Sequence, residues 1–216
     1  MANIFPRSAN WLPLQLITCI ALLGAVVPVG LWYYFTPKYT RVGYMPNQPV
    51  DFSHRIHVGQ VGLDCRYCHS FVEKSSHSNV PTTQTCMNCH SQIQAGNPRL
   101  QPVRDSFETG TPIKWVKIHQ APDYVYFNHS VHIARGVSCV SCHGKVNEMP
   151  VVWHDKSQSM KWCLDCHRDP GANVRPVENV FNLDWAPQGT TQRELGDKLV
   201  KDWKITPPTS CQGCHR

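Results

Sequence analysis

Ten of the eleven cysteines in this chain fall into a single pattern, Cys-x-x-Cys-His, and the pattern occurs five times. The copies are Cys65/Cys68/His69, Cys86/Cys89/His90, Cys139/Cys142/His143, Cys163/Cys166/His167 and Cys211/Cys214/His215. The spacing suits one kind of chemistry: two thiols add to the two vinyl groups along one porphyrin edge, and the next residue then offers its imidazole to the iron. The ten cysteines are therefore read as thioether links to five covalent haems, with His69, His90, His143, His167 and His215 as proximal ligands. Porphyrins are expected to replace hydrocarbon as the centre of the molecule. A zinc ribbon also uses paired C-x-x-C knuckles, but its thiolates satisfy the metal without a histidine after every second cysteine. A disulfide framework suits an exported protein and gives no account of five histidines at one fixed offset.

Two axial ligands on each of five irons require ten donors. Twelve histidines are present, so seven remain for five distal places: His54, His57, His77, His119, His129, His132 and His154. An internal repeat sorts them. Phe52-Ser53-His54-Arg55-Ile56-His57 precedes Cys65, and 75 residues later Phe127-Asn128-His129-Ser130-Val131-His132 precedes Cys139. On a helical turn, histidines at i and i+3 share a face only loosely, so each can reach a different iron, and the phenylalanine can pack against a ring. His54 is expected to cap the Cys65/Cys68 haem and His129 the Cys139/Cys142 haem, while His57 and His132 reach neighbouring haems. His119 is the fifth choice, because the haem on Cys211 and Cys214 has no local unit of its own. Met149 and Met160 are alternative distal ligands, and a His/Met iron would have a raised potential. His77 and His154 are further alternatives, otherwise read as surface or propionate-bonded histidines.

Trp11 to Phe35 contains no charged residue, and about 25 residues at 1.5 Å rise exceed the thickness of a hydrocarbon core. Trp11 at one end and Trp32, Tyr33 and Tyr34 at the other suit the headgroup boundary; Pro13 falls in the first turn and Pro28 is expected to kink the outer half. The stretch is too long for a cleaved signal and lacks a small-x-small site followed by polar sequence, so an uncleaved signal-anchor is predicted. Charge does not orient it, since Arg7 precedes the helix and Lys38 and Arg41 follow it. Covalent haem attachment belongs to the periplasmic or equivalent outer compartment, which puts the N-terminus in the cytoplasm and the haem region outside the inner membrane. Cys19, inside the anchor, is read as a small apolar filler.

The expected organisation is residues 1–36 as anchor, 37–50 as an extended tether, 51–103 as a first two-haem unit, 104–176 as a second, and 177–216 as a wrapping tail with the fifth haem. Asp123 to Phe127 alternates like a short strand, and Thr191 to Trp203 reads as an amphipathic helix. Seventeen prolines argue against a regular bundle. The fold class is a multihaem one, mostly irregular with short helices wrapped around five haems, plus one N-terminal transmembrane helix. The net charge of +6 and pI near 8.8 do not point to nucleic acid, because the basic residues are scattered singly. Haem propionates would consume much of the excess, adding about −5 with five ferric haems and about −10 with five ferrous ones.

The segments FSHRIHVG, CRYCHSFVEKS, CMNCH, PDYVYFNHSVH, CVSCHG and MKWCLDCHRDP closely resemble the pentahaem cytochrome c subunit of alternative complex III, a bacterial quinol oxidoreductase, over nearly the whole chain. Each two-haem unit also resembles class III cytochromes c, whose Phe-x-His-x-x-His motif supplies distal ligands to different haems. The resemblance implies a hetero-oligomer in which integral membrane subunits oxidise quinol, with an iron–sulfur subunit as a candidate member. This chain would then pass electrons to a soluble cytochrome c or copper protein, with no catalytic residue of its own. A self-sufficient membrane-anchored quinol dehydrogenase is the alternative, and it needs a quinol pocket beside the Cys65 haem. A nitrite or hydroxylamine reductase would need an open or lysine-ligated haem, and no C-x-x-C-K site occurs.

Overall fold

The computed structural model describes residues 6–35 and 41–215. Part of the expected tether, 37–40, with Lys38, lies outside the described residues. The chain divides into two compact units, Met1–Arg41 and Val42–Arg216.

In the first unit a 3-10 turn, Arg7–Trp11, leads into helix α1, Leu12–Phe35. At 1.5 Å per residue α1 is about 36 Å long. Together the two elements form a helix long and apolar enough to cross a membrane. Pro28 lies inside α1, where it removes one backbone donor from the ladder.

In the second unit the helices are short, as the proline content requires. In chain order they are α2 (Cys65–Cys68), α3 (Thr83–His90), α4 (Gln101–Thr109), α5 (His129–Ala134), α6 (Cys139–His143), α7 (Met160–Arg168), α8 (Gln192–Asp202) and α9 (Cys211–Cys214). A six-residue π-helical stretch, Arg55–Gln60, follows His54. No strand forms among the described residues. Where alternation over 123–127 suggests one, Val125 makes an isolated antiparallel bridge with His215. Only one bridge forms there because Asp123 and Tyr124 before Val125 are in a turn and Cys214 before His215 is the last residue of α9.

Helix starts follow side-chain chemistry. Asp64 accepts from the Arg66 amide before α2, Asn128 from the Ser130 amide before α5, and Ser159 from the Trp162 amide before α7. Thr191 and Glu194 form a reciprocal capping box that starts α8 within the segment read as amphipathic. α8 packs against the turn Pro170–Ala172 so closely that a methyl group on Gly196 would collide with the Gly171 carbonyl.

Apolar burial is sparse. Among the described residues the buried hydrophobics are Val50, Val72, Val103, Ile133, Met149, Val174, Val180 and Leu183. They are spread over the chain rather than gathered on one sheet or helix face, and the largest cluster joins Val72, Ile133 and Val180. The segments are instead pinned by long-range backbone bonds. Gly43 donates to the His154 carbonyl, and the His154 amide donates to Tyr44, so the described end of the expected tether is bonded to the segment between the third and fourth motifs. The amides of His129 and Ser130 donate to Ser76 and Ser75. The first two-haem segment thereby holds the opening turn of the second.

Candidate haem centres

Each Cys-x-x-Cys-His motif lies on or at the end of a short helix: α2, α3, α6, α7 and α9. One helical turn brings the cysteines at i and i+3 to one face with the histidine directly after them. No group of three or more histidine, cysteine or acidic side chains is clustered for a metal ion among the described residues. Each motif therefore stands as a separate two-thiol edge with one imidazole.

The thiols are not equally enclosed. Cys65, Cys68, Cys86, Cys139, Cys142, Cys163, Cys166 and Cys214 are partly buried, whereas Cys89 and Cys211 are exposed. Cys89 sits at the C-terminal end of α3, and the six residues that follow its motif, 91–96, are all exposed as well. α3 packs against α4, and its last turn meets Tyr67 and His57 through Asn88 and His90, while Cys86 is partly buried and Cys89 is left at the surface. Cys211 is likewise exposed, on the one-turn helix α9. The second and fifth motifs thus lie at the rim. Burial pushes the thiols of the third motif up furthest, Cys139 to about 11 and Cys142 to about 12, desolvation leading in both.

Seven histidines share a second feature. The Nδ1 of His57 lies 2.8 Å from the Ser53 carbonyl, that of His69 2.6 Å from Asn79, and that of His90 2.9 Å from Ile93. Likewise His129 reaches Ser76 at 2.8 Å, His132 reaches Asn128 at 2.7 Å, His167 reaches Pro208 at 2.7 Å and His215 reaches Tyr124 at 3.2 Å. A carbonyl can only accept, so Nδ1 carries the proton in every case and Nε2 is left as a lone-pair donor. This is the arrangement that orients a metal-ligating imidazole.

The rings also face one another at a telling distance. An iron bonded at about 2 Å to nitrogens of two five-membered rings puts the ring centres roughly 6.2 Å apart. His57 and His90 are 6.1 Å apart, His129 and His143 6.3 Å, and His132 and His167 6.1 Å. His54 is coupled electrostatically to His69. The residues fit haem: two thiols at one edge, one imidazole beside them, and a second imidazole at the spacing that one iron requires.

The repeat read in the sequence is a repeat in space. Phe52 meets His54 edge-on at 4.8 Å and stacks on His57 at 4.4 Å; Phe127 meets His129 edge-on at 4.7 Å and stacks on His132 at 4.5 Å. The rings against which each phenylalanine packs are thus the two histidines of its own motif.

Burial favours the neutral form at His54, His129, His132 and His143. Desolvation first, then the charges of His69 and His57, pushes His54 down to about 4. His143 falls to about 3 through desolvation and then its neighbours His119, His129, His69 and His154. His129 and His132 are also lowered, by desolvation, against the opposing effect of their backbone hydrogen bonds. A neutral imidazole is the form that binds iron.

The remaining candidates are distributed differently. His119 lies edge-on to His143 at 4.3 Å and 5.0 Å from His154. Its Nε2 is buried without a hydrogen-bond partner among the described residues, and desolvation followed by His154 lowers it to about 4. The ring against His215 is Tyr124, at 5.7 Å. Met149 is fully buried, His154 is buried, and Met160 and His77 are exposed. Sequence reasoning missed the carbonyl acceptors, since any residue can supply one. Asn79 carried a signal: it sits in the left-handed region (φ 59°), with Oδ1 accepting from the Phe71 amide and Nδ2 donating to Cys68. Asparagine is among the few residues that favour that region.

The family model for cytochrome c7 and related cytochrome c matches residues 50–108 and 125–216. The chain belongs to this family. Its matched residues contain all five Cys-x-x-Cys-His motifs and both Phe-x-His-x-x-His motifs, and membership implies covalently bound c-type haem. The chain is also 33% identical over 198 residues to the menaquinone reductase multihaem cytochrome c subunit of Nitratidesulfovibrio vulgaris (strain Hildenborough), covering 89% of this chain and 78% of that protein. As a multihaem cytochrome of this family, the chain uses the tail and lead-in segments to complete its sites. Pro208 orients His167, and Tyr124 orients His215, so the fifth motif borrows from the segment before the second repeat what it lacks locally.

Proposed function

We propose that this cytochrome is the electron-transfer subunit of a membrane complex linked to the quinone pool, carrying five covalently bound haems that pass electrons between membrane subunits and an acceptor outside. All ten motif thiols form thioether links, the exposed Cys89 and Cys211 included, because a porphyrin edge needs both thiols of its helical turn whether that turn lies at the centre or the rim. The iron ligand pairs are His54 with His69, His57 with His90, His129 with His143 and His132 with His167. The remaining distal place falls to His119, whose buried Nε2 has no other partner among the described residues, with Met149, Met160, His77 and His154 as alternatives. The observation that carries this reading is the set of three histidine pairs centred 6.1 to 6.3 Å apart, five of whose six rings set Nδ1 against a backbone carbonyl. Bound in this way, haem supplies one-electron exchange with no open iron position for a substrate. What the chain contributes is placement: it orients the imidazoles and fixes each thiol pair on one helical turn.

The helix Arg7–Phe35 is assigned as a single membrane anchor, with the haem region on the periplasmic side. The finer assignment is to a complex of the alternative complex III type, with integral membrane quinol-oxidising subunits, an iron–sulfur subunit, and a soluble cytochrome c or copper protein as acceptor. A second reading reverses the current: the relative's name assigns it to a menaquinone reductase, in which electrons would enter from outside and reduce quinone. Purification from native membranes, with mass spectrometry of the copurifying subunits and of the intact chain, tests the assembly and the haem count. An intact mass without five haem equivalents would refute the count. Quinol-driven reduction of the haems in the purified complex, against quinone-driven oxidation from a reduced soluble donor, decides the direction.

A further inference from the structure

Among the described residues, Arg175 is the buried cation, only 9% exposed, and it has no anion in the ion pairs found there. Its Nη1 donates to the Asn182 carbonyl at 3.2 Å, its guanidinium lies 5.1 Å from the centre of the Trp185 ring, and its Nε is buried without a partner. A backbone carbonyl and an aromatic face orient a guanidinium, but neither neutralises it. Buried charges are ordinarily paired, because an uncompensated one is strongly disfavoured.

The position of Arg175 is fixed beside the third motif. Its amide donates to the Gly136 carbonyl at 2.9 Å, and Val174 bridges Val137 on the neighbouring residue pair. Gly136, at φ 75°, allows the Arg175 carbonyl an approach that a side chain would block. Ser138, which precedes Cys139, donates its hydroxyl to the Val180 carbonyl at 2.5 Å. The segment 174–180 is thus clamped to the three residues that lead into Cys139.

We infer that Arg175 is a binding site for a carboxylate, supplied by a haem propionate of the cluster that includes the Cys139/Cys142 haem. The inference rests on the haem reading above and adds to it a named counter-ion. Every haem brings two carboxylates, and a guanidinium with free N–H groups is the side chain best suited to hold one. A cation fixed there also favours the reduced iron, which carries one positive charge fewer.

The test is a redox titration of the purified holoprotein, followed optically, in wild type and in Arg175→Leu, Arg175→Gln and Arg175→Lys. With all five haems counted by mass, the Leu and Gln variants should show one couple displaced to lower potential by at least tenfold in its oxidised-to-reduced ratio, which is 59 mV for one electron. The Lys variant should retain most of the wild-type value. If the Leu variant does not accumulate, the comparison of Gln with Lys carries the same information. Unchanged midpoints in Gln or Leu protein with a full haem complement would overturn the inference. So would a wild-type couple that shifts with chloride or acetate concentration and loses that response in the Gln variant, since the anion would then come from solution. A haem count short of five in wild type would count against the haem reading and not against Arg175.

Discussion

Replacing Gly196 by alanine sets two effects of opposite sign against each other, and the structure says which one wins. Gly196 is in the interior of α8, where glycine is about 1 kcal/mol less favourable than alanine. At an open helical position the substitution would therefore stabilise. Here the new methyl would stand far inside 3.0 Å of the Gly171 carbonyl, and close to that residue's carbonyl carbon and Cα as well. The obstacle is backbone, which has no rotamer to yield, so α8 and the turn Pro170–Ala172 must separate by roughly an ångström, an overpacking that costs about 1–3 kcal/mol. The same movement stretches the bonds from the Gln192 side-chain amide to the Val174 and Gly171 carbonyls, at 2.7 and 3.4 Å, each worth about 1 kcal/mol. It also stretches the exposed Arg193–Asp169 pair at 2.6 Å, a solvent-screened contact of little weight. The expected result, after subtracting the propensity gain, is a net destabilisation of about 2–3 kcal/mol. Thermal unfolding of the holoprotein, followed by circular dichroism and by the Soret band, measures it. Lys198→Ala is the control, an exposed position on the same helix whose pairing with Asp202 is i,i+4, and it should stay within about 0.5 kcal/mol of wild type. A Gly196→Ala protein as stable as wild type, or more so, would refute the reasoning, because propensity alone would then govern the site.

Three further outcomes are expected. Asn79→Ala should cost about 1–2 kcal/mol for the left-handed backbone and about 1 kcal/mol for each hydrogen bond lost, whereas Asn79→Gly should recover the backbone share; denaturant unfolding separates them. Phe127→Leu removes the ring stacked on His132 and edge-on to His129, so low-temperature paramagnetic resonance should show two haem signals displaced with no loss of haem by mass. On acidification, His54 should behave as a group whose folded pKa, about 4, lies below its unfolded value of about 6.5. Its contribution to stability is then complete below neither value: a neutral buried imidazole stabilises fully above pH 6.5 and loses that contribution as pH falls towards 4, where the unfolded chain takes up the proton first. The low-spin optical spectrum should consequently persist between pH 7 and 5, and conversion to high spin within that range would contradict the burial of His54.

Covalent chemistry is the legible part of this sequence. The five thiol pairs and the two Phe-x-His-x-x-His segments are local patterns, and each maps onto a local structure, a helical turn or a ring triad. Long-range completion is not legible. The acceptors for His69, His129, His167 and His215 are carbonyls of Asn79, Ser76, Pro208 and Tyr124, and a carbonyl leaves no trace in residue identity. The exposure of Cys89 belongs to the same class, because five identical motifs carry no sign of which turn another segment will cover. Alternation at 123–127 does not become a strand: Asp123 and Tyr124 lie in a turn closed by the Val125 amide on the Pro122 carbonyl, and only Val125 bridges, to His215 after α9. Arg175 and Gly196 are invisible for a related reason: one is distinguished by what it lacks, the other by which backbone passes over it.

These long-range bonds have a consequence for how the sites depend on one another. His129 is oriented by Ser76, just before the exposed His77 in the loop that follows the first motif, and its ring lies opposite His143. His132, one turn further along α5, lies opposite His167, which is itself oriented by Pro208 in the tail. The tail ends in α9, where His215 is tied back to Tyr124, five residues before His129. The path through the first, third, fourth and fifth motifs thus closes on itself through ligand-orienting hydrogen bonds. With so little buried hydrocarbon among the described residues, no independent core exists there to hold one site rigid while its neighbour is disturbed. Loss of a single ligand pair in this loop should therefore loosen the others. The His57–His90 pair should be the most separable, since its acceptors Ser53 and Ile93 are both local and Cys89 beside it lies at the rim.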